Sequence, residues 1–598
     1  MKPKSLNHMN PKSAILLLIL FITGYRDSTA QTDKIYDISR SPHYTFATTL
    51  AQQEEQLRAN PIMLRFAESR KKQANDPHRP VYHLVSPESL MNDPNGLTYW
   101  KGRWHLFYQG YPVDENKRSH WAHAVSEDLV HWRDLPYALY PGPEEQCFSG
   151  NVLAEGDRAI VLYHGRNIGN ITAISIDPLL LNWEKKYKKG YISVKIGQSV
   201  DKAFAGTKGE AGLTNISAKE TAAETKKTIP EGSYIFDPCI WKKGEYYYSL
   251  SGCSVPKGPG GKRIPTELLF RSKDLVNWEY LHEFSEGDRF SYIGDTRHCA
   301  NFAPIGNKYM LSYFGSASGG QYLLGDYDKE RDKFVVTSHG RINHGAIHPG
   351  GIHAPAIQTD GKGGVIMICN VNTGMVTGEW DHLMTLPRRM TLAAGENVLI
   401  EPVEAVESLR YDGKHLGKMT LPANQEIVLE GVKGKAIEIV AEIDLTAGRK
   451  KADFQDQALP PFTYKDPAST PMFEMNVLRS PDKKEYTRIA FYPARTGKGG
   501  IDRKENSWIT LDSSYSSTLP GAFSRAPETA PVMLKEGESL QLRVFIDHSV
   551  VEVFVNGTQC ITSRVYPGLI ESDGVSVRSA GKDAALNSLS VYQMKSIY

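Results

Sequence analysis

The heptapeptide Ser126-Glu-Asp-Leu-Val-His-Trp132 returns almost unchanged as Ser272-Lys-Asp-Leu-Val-Asn-Trp278. A looser copy, Ser175-Ile-Asp-Pro-Leu-Leu-Leu-Asn-Trp183, lies between them. The closing residues Trp132, Trp183 and Trp278 stand one and then two units of roughly 48 residues apart, a spacing that belongs to repeat architectures. Between the copies the chain reads as short strands broken by Gly, Asn and Pro. A period of that length built from strands is the signature of a β-propeller, one unit to a blade. Residues 81–400 are therefore expected to form an all-β propeller of five or six blades. Composition agrees, since 51 Gly, 30 Tyr and 9 Trp suit tight turns and aromatic strands better than a helical bundle.

Beyond residue 400 the pattern becomes clean two-fold alternation. Ile437, Ile439, Ala441, Ile443 and Leu445 share one face, as do Leu540, Leu542, Val544 and Ile546. Val551 to Val555 meets Asn556-Gly557 and then Thr558 to Val565, a type I′ hairpin signal. Residues 401–598 are expected to form a β-sandwich, a supporting or weak carbohydrate-binding module. Residues 31–80 read as a partly helical extension packed on the first domain, with Leu50, Leu57, Met63, Leu64 and Phe66 set among charged residues. Asp201 to Glu231, poor in large apolar residues, reads as a surface insertion between blades.

The first 30 residues read as a signal peptide. Lys2, Lys4 and Lys12 precede the apolar run Ala14 to Gly24, and Ser28-Thr29-Ala30 offers a cleavage site. That run is shorter than the roughly 20 residues a bilayer span needs, and no Cys follows it to carry a lipid. A secreted, periplasmic or cell-surface protein without a membrane span is expected. Export permits disulfides, yet the six Cys are too scattered for a compact framework, and only Cys239 with Cys253 is a candidate pair. With 70 basic and 68 acidic side chains, no basic field exists to hold a nucleic acid.

Chemistry gathers at Met91-Asn92-Asp93-Pro94-Asn95-Gly96, one acid between turn-forming residues, with the aromatic run Trp104 to Gln109 close behind. Most Asn/Asp-Pro pairs are plain turns. Here the further motifs Phe107-Tyr108-Gln109, Trp121-Ala-His-Ala-Val-Ser126, Phe148-Ser149-Gly150, Met384-Thr-Leu-Pro-Arg388 and Phe545-Ile-Asp-His-Ser-Val-Val-Glu552-Val-Phe-Val-Asn556-Gly557 accompany it. Together they resemble family 32 of the glycoside hydrolases, the invertases, inulinases and levanases, from about Arg79 to the C-terminus. The resemblance implies a five-bladed propeller followed by a sandwich, and retaining hydrolysis by two carboxyl groups about 5 Å apart. It also implies a carbohydrate substrate and no metal or organic cofactor.

Carried over residue by residue, Asp93 matches the nucleophile, and Asn92, Gln109, Trp121, Phe148 and Ser149 match the sugar pocket. Two motifs depart from the family. Its Arg-Asp-Pro is here Phe236-Asp237-Pro238, which keeps the transition-state-stabilising Asp237 but replaces a fork of donors with an apolar wall. Its acid/base Glu before Cys is here His298, before Cys299. An imidazole suits proton donation near neutral pH, and Asp295, three residues earlier, is a second candidate donor. His344, His348 and His353 cluster as a metal site might, but read better as the end of a strand bordering the pocket. Gly258-Pro-Gly-Gly261 lacks the helix and Lys-Ser/Thr of a phosphate loop.

The function expected is an exported, fructan-cleaving glycoside hydrolase acting on a furanose-containing saccharide. The altered motifs leave two other readings open: a carbohydrate-binding pseudoenzyme, and a hydrolase of another furanoside such as an arabinofuranoside.

Overall fold

The computed structural model describes residues 39–115, 117–142, 144–186, 229–230, 232–445, 472–493, 507–535 and 537–598. The expected signal peptide at 1–30, and all but two residues of the expected insertion at 201–231, lie outside this set. The polar N-terminal segment carries two helices, Leu50–Arg58 and Pro61–Gln73. Pro61 cannot continue the first helix but is well suited to begin the second. The Asn60 side chain accepts from the backbone N–H groups of Ile62 and Met63, which caps the new start. The second helix packs Phe66 edge-on against Tyr137 at 5.7 Å and pairs Arg70 with Asp134. Among the described residues no helix is long and apolar enough to cross a membrane.

Five sheets follow in chain order, each built from neighbouring strands. The first holds Met91–Trp100, Arg103–Gly110, His120–Ser126 and Arg133–Leu139, and the second Cys147–Glu155, Arg158–Gly165, Gly169–Ser175 and Glu184–Lys186. The third holds Tyr234–Lys243, Tyr246–Val255, Ile264–Ser272 and Glu279–Glu283. The fourth holds His298–Ile305, Lys308–Gly315, Gly319–Asp328 and Lys333–Arg341, with the short strand Ser285–Glu286 added in parallel at its outer edge. The fifth holds Ile352–Thr359, Val365–Val371, Leu383–Met384, Arg388–Leu392 and Val398–Pro402. The first strand of each sheet touches the first strand of the next, and that of the fifth touches that of the first. The five first strands therefore form a closed ring.

The repeated heptapeptide has one structural job. In each of the first three sheets it turns the chain from the third strand into the fourth. Asp128 accepts from the N–H groups of Val130 and His131, Asp274 from Val276 and Asn277, and Asp177 from Leu179, Leu181 and Asn182. The buried leucine of each copy, Leu129, Leu180 or Leu275, sits in the left-handed region with φ of 72°, 52° and 64°. An aspartate that satisfies the turn's donors stabilises this conformation, which a leucine otherwise avoids.

The C-terminal residues form two facing sheets, one of seven strands and one of six, around a single apolar core that includes Ile437, Ile439, Val544, Phe473, Met475 and Val577. Asn556 and Gly557 both take positive φ, 49° and 60°, as a type I′ turn requires, in a three-residue loop between the paired Val555 and Gln559. Where the fifth sheet meets the sandwich, fully buried charges interlock. His83 offers one ring nitrogen to Asp547 at 2.9 Å and the other to Glu552 at 3.1 Å, and Glu552 also binds Arg388 and the Leu386 N–H. All six cysteines are free and buried. The candidate bridge is corrected by register: Cys239 stands opposite Leu250 and Cys253 opposite Ile235. Three residues along a strand is about 10 Å, beyond what a disulfide spans.

Candidate active site

Every first strand carries an irregularity at the same place. Register shifts fall between Met91 and Pro94, Cys147 and Gly150, Ile235 and Pro238, His298 and Asn301, and Ile352 and Pro355. In each, two residues oppose one on the second strand, which is a β-bulge. The bulged pairs are Asn92-Asp93, Phe148-Ser149, Phe236-Asp237, Cys299-Ala300 and His353-Ala354. The residues facing them are Gln109, His164, Gly252, Tyr313 and Asn370. Pro94, Pro238 and Pro355 supply no ladder N–H just past three of the bulges, which favours an irregular register there. Bulges re-aim side chains at sheet rims. Here five of them aim residues into one mouth, at the start of the ring strands.

Asp93 is the best-satisfied group in that mouth. Its Oδ2 accepts from Ser149 Oγ at 2.9 Å, Gln109 Nε2 at 3.2 Å and the Cys299 thiol at 3.4 Å. Its Oδ1 lies 2.9 Å from His353 Nδ1. Burial pushes the carboxyl upward. The charge and hydrogen bond of His353, with the bonds from Ser149 and Cys299, outweigh burial and hold it below the usual carboxylate range. Gln109 is in turn positioned by Ser149 at 2.9 Å and by Asn92 Nδ2 at 3.3 Å.

Asp237, from the third sheet, accepts from the Cys299 N–H at 2.8 Å, and the Cys299 sulfur lies 3.6 Å from the same oxygen. Cys299 reaches both acids because its backbone is left-handed, at φ 50°, a strained conformation of the kind found at functional sites. Burial, then the charges of Asp93 and Asp237, push its thiol well above the normal range. His298 Nδ1 is 3.8 Å from Asp237 Oδ2, and its ring packs against Phe236 with centroids 4.2 Å apart. The imidazole is partly exposed, with 30 % of its side chain open to solvent. It is thus accessible from the mouth.

Two residues chosen from the sequence are not brought to this cluster. Asp295 is buried and ties two loops together, accepting from the N–H of Thr296 at 2.8 Å on its own loop and from those of Ala317 at 2.9 Å and Ser318 at 3.1 Å in the turn between Lys308–Gly315 and Gly319–Asp328. The Ser318 hydroxyl donates to the same carboxylate. Trp121 is fully buried, and its indole N–H donates to the Phe148 carbonyl at 2.8 Å. It stands behind the pocket wall and holds it. Phe148 itself is half-buried and stacks on His164, with centroids 6.2 Å apart.

The three-histidine segment divides. His353 turns to Asp93, while His348 lies 6.0 Å from it ring to ring. His344 lies elsewhere, half-buried, and burial lowers it to about 4. Among the described residues no group of three or more His, Cys, Asp or Glu is placed to hold a metal ion. Sequence reading set the three-histidine segment at the pocket border without singling out His353; it missed the contribution of Cys299 to this cluster, and missed Asn370, which donates to Asn92 Oδ1 at 3.2 Å. A proline one or two residues after the aimed side chain marks three of the five bulges, those of Asp93, Asp237 and His353; no such signal marks Cys299 or Asn370.

The model of the glycosyl hydrolases family 32 N-terminal domain matches residues 83–402, and that of the family 32 C-terminal domain matches residues 405–593. A levanase of Bacillus subtilis is 28% identical over 554 residues, covering 88% of this chain and 71% of that protein. A fructan 6-exohydrolase of Beta vulgaris is 26% identical over 581 residues, covering 87% of each. Among solved structures, fructan 1-exohydrolase IIa from Cichorium intybus superposes with a TM-score of 0.67 at 22% identity, over 87% of this chain and 98% of that one. A family 32 beta-fructofuranosidase of Bombyx mori superposes with a TM-score of 0.61 at 23% identity, over 91% and 99%.

Proposed function

Because the chain belongs to family 32 of the glycosyl hydrolases, and so is a glycosidase of O-glycosyl bonds, we propose that it is an exported hydrolase of the fructan-cleaving type, acting on furanose-containing saccharides with retention. The five sheets are the blades of one propeller, and the bulged ends of their first strands form the sugar pocket. The observation that carries this reading is the meeting of Asp93 and Asp237, from two different sheets, on the Cys299 sulfur.

Asp93 attacks the anomeric carbon of the furanose ring. The glycosidic oxygen leaves with a proton from His298, and a glycosyl ester forms on Asp93. Water then attacks the anomeric carbon, His298 takes its proton, and the ester bond breaks to return the carboxylate. Asp237 binds ring hydroxyls and faces the positive charge that develops on the sugar. Asn92, Gln109 and Ser149 fix Asp93 and the sugar, while Phe148 and Phe236 give the pocket apolar walls. The altered motifs fit this scheme. An imidazole performs the proton transfer of the family's missing Glu, and Phe236 packs against that imidazole where an Arg would repel its charged form.

The test is sugar release from sucrose, levan, inulin and arabinan, with Asp93→Asn as control. The reading predicts fructose from at least one of the first three, the initial product keeping the substrate's anomeric configuration by NMR. It predicts no arabinose and no release by Asp93→Asn. Release by Asp93→Asn at the wild-type rate would end it. Export is tested separately: the secreted protein should begin at Gln31.

A further inference from the structure

Asp93 is held on both oxygens, and one of its holders is a side chain with no assigned role. The first four ring strands supply Asp93, Ser149, Asp237 and Cys299 to the mouth. The fifth supplies His353, from the corresponding bulge, with Nδ1 2.9 Å from Asp93 Oδ1. Resting on the reading of Asp93 as nucleophile, we propose that His353 is the positioning residue of that nucleophile: it fixes the plane of the carboxylate and stabilises its charge when the ester releases it.

Three observations support this. The three donors on Oδ2, from Ser149, Gln109 and Cys299, leave Oδ1 to His353 as its partner within hydrogen-bond distance. Without the imidazole, the carboxylate can swing about its Cβ–Cγ bond. His353 is itself immobilised, because the Phe314 ring lies 4.0 Å from its centroid. A histidine with a free rotamer would lose much of the bond's value to entropy. Finally, the charge that holds the Asp93 carboxyl down is that of His353. The titratable and charged groups near the pair are Cys299, Asp237 and His298 on one side, and His348, His382, Asp381 and Arg564 on the other. Burial, with His353 among the charges opposing protonation, lowers His382 to about 4, so it is neutral at working pH. Asp237 adds negative charge. The charge of His353, and after it the hydrogen bond it gives, are therefore the strongest local interactions favouring an ionised Asp93.

The experiment uses the full chain with His353→Ala, His353→Asn and Asp93→Asn, and reads two quantities. The first is the carboxyl titration of Asp93 by 13C NMR, which needs no turnover. The second is the pH profile of kcat and KM on the best saccharide of the panel above. In His353→Ala the Asp93 titration and the acid limb of kcat/KM should both move up by about one pH unit. There kcat should fall by about tenfold, with KM changed less than about twofold. His353→Asn places an amide donor near Nδ1, so it should recover kcat while leaving the limb displaced. An Asp93 titration unmoved in His353→Ala, or a rise in KM with kcat intact, overturns the proposal. Full turnover by Asp93→Asn would instead overturn the nucleophile reading, whereas the NMR titration still decides whether His353 governs the ionisation of Asp93.

Discussion

Asp93 and Asp237 meet across one sulfur atom, with Cys299 Sγ 3.4 Å from an oxygen of the first and 3.6 Å from an oxygen of the second. The two acids are 144 positions apart in chain order, on strands of different sheets. Two carboxylates left this close in a buried mouth repel, and one ordinarily takes a proton. Here the thiol proton and the Cys299 N–H lie between them, and His353 flanks Asp93 on the far side. Neutral donors, rather than water, therefore separate the two acids.

A thiol in that position should be chemically silent. Burial and two flanking carboxylates raise Cys299, and burial raises Cys239, Cys253, Cys369 and Cys560 to about 12. The thiolate is the reactive form. At pH 8 the native protein should therefore resist iodoacetamide, and all six thiols should react once it is unfolded. Mass spectrometry of the alkylated peptides checks this; prompt native labelling at Cys299 would show an open, ionised thiol and contradict the geometry.

Proton donation should separate cleanly between the two groups considered for it. His298 is exposed to the mouth and touches Asp237, whereas Asp295 is locked to Thr296, Ala317 and Ser318. His298→Ala should lower kcat by about 10²- to 10⁴-fold, the usual worth of general acid–base help, and remove one limb of the pH profile. Asp295→Asn should keep the shape of that profile and lower the unfolding midpoint, since it disturbs a buried loop. Turnover and thermal melts on the two variants decide it.

How far the sequence carries can be judged residue by residue. The aspartate, leucine and tryptophan of the heptapeptide mark turns, and turns are local, so their repetition was legible. Asp93 and Asp237 were legible because each sits in a short Asp-Pro motif. His353 lay in a run of three histidines whose spacing alone does not say which one turns inward; a bulge shared with four distant strands decides that. Trp121 misled because an aromatic in a sugar-site motif reads as a stacking face, and only the structure reveals that its N–H serves a neighbouring strand. The roles of Asp547 and Glu552 depend on partners such as His83 and Arg388, more than 160 positions away in the chain, and no local pattern encodes that.

Trp121 gives a prediction with opposite signs for its two readings. Trp121→Phe leaves the Phe148 carbonyl without its indole donor inside the wall. An unsatisfied buried acceptor costs about 1–3 kcal/mol, so the melting temperature should fall. The ring does not face the mouth, so KM for saccharide should change little. A raised KM with an unchanged melting temperature would return Trp121 to the pocket surface.

The junction between the fifth sheet and the sandwich should make stability depend on pH in a defined window. His83 points both ring nitrogens at carboxylates, Asp547 and Glu552, a geometry that favours a proton on each nitrogen. Burial alone would lower His83, but those bonds and charges raise it to about 9. Its folded value exceeds the unfolded value of 6.5, so its contribution is complete below pH 6.5 and is lost as pH rises through 9. Glu552 behaves in the opposite sense. Burial raises it, but Arg388 and His83 outweigh burial and hold it at about 2, so its contribution is complete above pH 4.5 and fades as pH falls toward 2. The two windows overlap between pH 4.5 and 6.5, where this network stabilises most. Removing one member of a buried charged set costs about 3–5 kcal/mol. His83→Gln should therefore melt at a lower temperature than the wild type at pH 6, and the gap should narrow steadily toward pH 9.5. Melting curves recorded across that range test the point; a gap independent of pH would mean that His83 is neutral in the folded protein, with one of its two carboxylate partners carrying the proton.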